Sequence, residues 1–127
     1  MISSNKEYGV YFFKNFDNKS PVLDFIDRLN KKEQAKITKY IEFLRQHCGI
    51  LDEPYSKHIK GKIRELRVDF SSNKYRIFYF TFVEQNIILL HAFSKKTDKT
   101  PLSEIKIAEE NYNCVLNNPK IYEKNYK

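Results

Sequence analysis

The sequence predicts an α+β domain with the order β-α-α-β-β-β-α, a mainly antiparallel sheet and its helices packed on one face. Three observations lead there. Helical periodicity comes in blocks, two tandem amphipathic segments early and one late, rather than alternating with strands. Three strand-like runs lie between those blocks, joined by loops short enough for hairpins. One of the runs alternates apolar and polar residues, the mark of a sheet with one covered and one open face.

The elements follow in order. Tyr8 to Phe13, "YGVYFF", is β-branched and aromatic and reads as a first strand. Ser20 is placed as an N-cap with Pro21 at the first helical position, where a missing N–H costs nothing. Val22, Phe25, Ile26 and Leu29 then recur on one helical face. Past a polar joint near Asn30, Ile37, Ile41, Leu44 and Cys48 mark a second helix, with Gly49 as its terminator. In "KIRELRVDF", Leu66, Val68 and Phe70 oppose Glu65, Arg67 and Asp69. "YRIFYFTFV" and "IILLHAF" are apolar nearly throughout and read as more central strands. Thr100 is expected to cap, and Pro101 to start, a last helix striped by Ile105, Ala108, Tyr112 and Val115. The segment between the second helix and "KIRELRVDF" reads as a loop, and "NNPKIYEKNYK" as a frayed end.

A length of 127 residues fits one domain, taken as residues 1–118 with a tail at 119–127. No apolar run approaches the roughly 20 residues of a membrane helix. "MISSNKEYGV" lacks the basic start and apolar core of a signal peptide, so a cytoplasmic protein is the expectation. Cys48 and Cys114 stand far apart without ligand spacing and read as small buried hydrophobes rather than a disulfide or zinc site. There is no P-loop, HExxH or GxSxG, and the acidic residues form no two-metal cluster. Metal-independent chemistry on a phosphate, or binding alone, is what those patterns leave.

The net charge of +7 is unevenly placed. Lys57 to Thr100 carries ten basic and four acidic residues, and the remainder of the chain is nearly balanced. Such concentration points to a polyanionic partner. A four-residue "SSNK" loop would set Asp69 opposite Arg76 and Arg67 opposite Phe78, leaving both arginines on the open face. They then form a fork for phosphate, or Arg76 pairs with Asp69 as a surface ion pair. The face of His91 depends on the next turn: a two-residue "QN" turn puts it with the arginines, a three-residue "EQN" turn opposite them. Tyr75, Phe78 and Tyr79 lie among these cations, where an exposed ring would stack on a base.

The combination "HIKGKIRELRVDF", "YRIFYF" and "HAFSKKTDKTP" before the last helix resembles the RelE superfamily of bacterial toxins, in its phage-derived HigB-like branch. The resemblance covers residues 57–110 and implies a RelE-like fold. It further implies the toxin of a type II toxin–antitoxin pair, a ribosome-dependent mRNA interferase that needs no cofactor and no metal. In that chemistry the ribose 2′-OH attacks the adjacent phosphate, giving a 2′,3′-cyclic phosphate and a 5′-OH. Arg67 and Arg76 match the family's arginines and take the phosphate and its growing charge, with Lys96 the next catalytic candidate. A lysine of lowered pKa, Glu65 or His91 would carry the proton. Lys57, Lys60, Lys62, Arg64, Lys74, Lys95 and Lys99 are the expected RNA contacts. The implied partners are a helix-turn-helix, HigA-like antitoxin, the ribosome and mRNA. The alternative is a non-catalytic module of the same fold, either a ParE-like topoisomerase poison or a degenerate toxin that only binds its antitoxin.

Overall fold

Five strands and four helices make up residues 8–83 and 85–123, the part of the chain that the computed structural model describes. They run β1 (Gly9–Phe12), α1 (Pro21–Asp27), α2 (Lys31–Gln46), β2 (Ser56–Lys60), β3 (Ile63–Phe70), β4 (Asn73–Phe82), β5 (Asn86–Ser94), α3 (Leu102–Asn117) and α4 (Lys120–Glu123). The sheet order is β1-β5-β4-β3-β2. β1 joins β5 in parallel and every other pairing is antiparallel, so the α+β expectation holds with a mixed five-stranded sheet.

The helices start and stop for local reasons. Asn30 accepts from the Glu33 N–H at 2.8 Å while Glu33 accepts from the Asn30 N–H at 3.1 Å, a reciprocal capping box opening α2. Gly49 closes it at φ +84°, its N–H on the Leu44 carbonyl at 2.9 Å. A Cβ there would meet Thr81 Oγ1 at 2.6 Å, so the position needs glycine twice over. Cys48, expected in the core, is exposed, because α2 ends at Gln46 and Cys48 sits in a left-handed turn at φ 60°. Thr100 does not cap α3 either. Its hydroxyl turns to Glu65, and Pro101 occupies the cap position instead.

The helices cover both faces of the sheet, not one. On the first face Val22, Ile26, Ile37 and Leu44 of α1 and α2 bury Leu66, Val68, Ile77, Tyr79, Ile87 and Leu89. On the second, Ala108 and Val115 of α3 and Tyr122 of α4 pack on Phe78, Phe80, Ile88, Leu90 and Phe93. Each Val, Leu, Ile or Phe among them contributes roughly 1.5–3 kcal/mol of burial, and two-sided cover is why β4 and β5 are apolar without alternation.

Two further expectations change. Ser56–Lys60, read as loop, is the edge strand β2, short and polar because only its pairing with β3 makes it a strand. Residues 120–123, read as frayed, form α4, since Tyr122 is buried edge-on to Tyr11 and its hydroxyl accepts the Lys14 N–H at 3.0 Å. The first seven residues of the expected domain, and 124–127 of its tail, lie outside the described residues.

Candidate functional site

Registers decide which side chains meet. The β3–β4 turn is Ser71-Ser72, not the four residues "SSNK", with Ser71 in the left-handed region at φ 56°. Phe70 therefore pairs with Asn73, Arg67 lies directly opposite Arg76, and Asp69 opposite Lys74. The expected shared face survives, because the two registers differ by an even number of residues. Between β4 and β5, Phe82 pairs with Asn86 across residues 83–85. That three-residue connection alone would send His91 to the α1–α2 face. A bulge after Leu89 inserts Leu90 and brings His91 opposite Phe78, on the arginine side. α3 secures the bulge: Asn111 Nδ2 donates to the Leu90 carbonyl at 2.9 Å, and His91 Nε2 sits 2.5 Å from Glu104 Oε1.

Rows of side chains consequently cross the second face. Lys57, Glu65, Phe78 and His91 form one; Arg67, Arg76 and Phe93 the next; Asp69 and Lys74 the third, with Lys95 added through its N–H on the Lys74 carbonyl at 2.7 Å. α3 covers the far part of this face and leaves the last two rows at its border. The open face expected opposite Leu66 and Val68 is thus largely closed: Glu65, Phe78, Arg76 and Phe93 are buried, Arg67 and Lys95 are half-buried, and Asp69 and Lys74 are exposed.

Within the ionic part, Glu65 is fully buried and fully occupied. Its Oε1 accepts from Arg67 Nε at 3.0 Å and its Oε2 from the Thr100 hydroxyl at 3.1 Å. It thereby ties the post-β5 loop to the arginine strand. Arg76, only 5% exposed, donates through Nη1 to Asp69 Oδ1 at 2.8 Å and to the Tyr75 carbonyl at 2.9 Å. Its Nε is buried with no hydrogen-bond partner among the described residues. The anticipated Arg76–Asp69 pair thus exists, but its arginine belongs to the interior rather than the surface. Burial pushes the Lys95 ammonium below the usual lysine range, and the neighbouring charges of Arg76, Arg67 and Lys74 push it further, against the opposing pull of Glu65.

The other expected residues scatter. Lys95 shares the arginines' field, whereas Lys96 is exposed one residue further along. Arg64 lies on the opposite face, its Nε on Ser56 Oγ (3.2 Å) and the Tyr79 hydroxyl (3.3 Å). Lys60 bridges to Glu109 of α3 at 2.8 Å. Lys62 and Lys99 are exposed in flanking turns, and Lys57 and Lys74 are exposed on their strands. Tyr75, Phe78 and Tyr79 are buried and offer no stacking face.

Sequence reading missed Lys36, Tyr40 and Tyr55. They join Arg67, Asp69 and Arg76 around a cavity of about 140 Å³ at the β3 edge, where β2 has not yet begun. Lys36 and Tyr40 are one helical turn apart, the sole trace of this in the sequence, and Lys36 Nζ lies 5.7 Å from the Tyr40 ring. Among the described residues no group of three His, Cys, Asp or Glu side chains could hold a metal ion. No helix among them is long and apolar enough to cross a membrane.

Comparison with known families matches residues 24–113 to the family described as phage-derived protein Gp49-like (DUF891). The match extends well upstream of the motif-bearing segment and takes in α2 with Lys36 and Tyr40. No curated protein matches the chain.

Proposed function

The chain belongs to the phage-derived Gp49-like family, a RelE-toxin-like family, and from that premise we propose that it is the toxin of a toxin–antitoxin pair and cleaves mRNA on the ribosome without metal. The observation that carries the reading is the directly opposed pair Arg67 and Arg76, with Lys95 in their field where the second face passes from buried to exposed residues.

Arg67, Arg76, Lys74 and Lys95 outnumber Glu65 and Asp69, so the border favours an anion. A phosphate oxygen at this border would meet the part-exposed Arg67 and compete with the exposed Asp69 for Arg76 Nη1. Lys95 takes the role of general base, because its lowered pKa raises the fraction of neutral amine. It accepts the 2′-OH proton as O2′ bonds to phosphorus. The P–O5′ bond breaks, the arginines stabilise the charge on the phosphoryl oxygens, and the leaving O5′ takes a proton from a cationic side chain of the cluster. Glu65 positions rather than abstracts: both of its oxygens are engaged. His91 is likewise held, by Glu104, and stacks on Phe93, the strand partner of Arg76. A HigA-like antitoxin is the partner that would restrain the activity.

Induced expression tests this. Growth stops with the intact chain and resumes with Arg76→Ala. Arrest that persists in Arg76→Ala, or arrest accompanied by DNA damage and intact transcripts, would move the assignment to a non-catalytic poison of the same fold.

A further inference from the structure

The arginine cavity shares two of its lining residues with a second, larger hollow. Tyr40 and Tyr55 line both, and beyond them Phe43, Ile50, His47 and Asp52 enclose about 440 Å³. We propose that this groove holds a nucleobase of the strand whose phosphate rests on Arg67 and Arg76, a base subsite on the α2 side of the sheet edge. The inference rests on the phosphate-site reading above and adds to it the part of the substrate that is not phosphate.

The geometry supplies the connection. β2 begins only at Ser56, so past Leu66 the edge of β3 has no paired strand: the Tyr55 carbonyl accepts the Arg67 N–H at 2.9 Å, and Lys36 Nζ donates to the Asp69 carbonyl. One peptide hydrogen bond thus fixes an aromatic ring beside the guanidinium, and a chain lying on Arg67 can pass over the edge to that ring. Tyr55 and Tyr40 stand 5.9 Å apart at 66°, and Tyr40 and Phe43 6.0 Å apart. Tyr55 is 49% and Phe43 37% exposed, and Lys39 Nζ stands 5.7 Å from the Phe43 ring centroid, a further cation beside the groove. An apolar hollow of this volume with an imidazole and a carboxylate at its wall suits a flat heteroaromatic ring with polar edges. Lys36, which lines the cavity and lies over the Tyr40 ring, puts a cation at the junction where the next phosphate would run.

A short 2′-O-methyl oligoribonucleotide, which has no 2′-OH to attack, is the probe, titrated against the full chain across a range of salt concentrations. Tyr55→Ala is expected to weaken binding about 5- to 150-fold, the range of one lost base stack, with the salt slope unchanged. Arg67→Ala should instead lower that slope by about 1. An oligonucleotide with one abasic position should lose the same factor on the intact chain and nothing further on Tyr55→Ala, a coupling that a structural role would not produce. Phe43→Ala, also at an exposed position, serves as the second variant. Unchanged affinity in Tyr55→Ala and Phe43→Ala, with weakening in Arg67→Ala, overturns the base subsite and leaves the phosphate site standing. Unchanged oligonucleotide affinity alongside a weakened complex with a partner protein makes the groove a protein-docking surface and equally overturns it. No oligonucleotide binding by the intact chain at low salt overturns both readings together.

Discussion

Arg67 and Arg76 face each other directly across β3 and β4, each held by its own carboxylate, Glu65 and Asp69. Like charges opposite one another in a sheet are destabilising. The fold therefore maintains a repulsive pair at the border of its covered face, and the two carboxylates offset part of the repulsion. Such a pair gains from an incoming anion what it lacks in the free chain.

Removing either arginine should separate binding from stability. Arg67→Ala and Arg76→Ala are each expected to reduce the salt slope of polyanion binding by about 1. Asp69→Ala should act the other way, freeing Arg76 Nη1 and tightening binding. A titration of a single-stranded oligonucleotide at several ionic strengths checks all three variants.

Glu65 is predicted to be an anchor. Glu65→Ala leaves the half-buried Arg67 Nε and Thr100 hydroxyl without their acceptor, a loss of about 1 kcal/mol in urea unfolding. Thr100→Val releases only the loop and should weaken RNA cleavage with a smaller loss of stability. Were Glu65 the proton acceptor, Glu65→Gln would abolish cleavage while Thr100→Val left it intact.

Lys95 carries a pH signature. Its pKa in the folded chain lies below the unfolded value of 10.5. Below both values the charged form is penalised in the fold. As pH rises through the depressed folded pKa toward 10.5, the unfolded chain binds more protons and stability increases. Lys95→Met should therefore raise Tm at neutral pH, with the advantage shrinking as pH approaches 10, and should abolish cleavage. Thermal melts from pH 6 to 10 measure this. The upper limit matters, since tyrosines of raised pKa contribute stability below pH 10 that is lost above it, Tyr75 being pushed up to about 12 by burial and by Glu33.

The Tyr75–Glu33 contact makes the opposite, acid-side prediction. Tyr75 donates its hydroxyl to Glu33, which also caps α2 through the Asn30 N–H and accepts from Asn73 Nδ2 at 3.2 Å. The Tyr75 bond first, then the cap, holds the Glu33 pKa below 4.5. That stability is present above 4.5 and lost as pH falls through the folded value. Tyr75→Phe should lower Tm at neutral pH and flatten the decline of Tm between pH 5 and 3.

Much of this arrangement was legible, and the failures have physical causes. The alternation of Leu66, Val68 and Phe70 with Glu65, Arg67 and Asp69 predicts the arginine face, because a period of two is written into any strand with unlike faces. The even apolar runs of β4 and β5 held the sign of a second covered face, yet the strands alone do not say which helix supplies it. Nor can an unbroken apolar strand reveal an inserted residue, and Leu90 is that residue; the face of His91 turned on it. β2 is invisible for another reason: "SKHIK" has no strand pattern of its own and is a strand only through its partner. Tyr40 and Tyr55 come from separate elements and meet only once β2 stops short of Arg67.

The chemistry of the RNA ends tests the central claim most directly. Transcripts from cells expressing the intact chain, mapped at their 5′ ends, should carry new 5′-OH termini within ribosome-bound mRNA, and these should vanish with Arg76→Ala. Growth arrest without such termini, or cleavage leaving 5′-phosphates, would contradict the account.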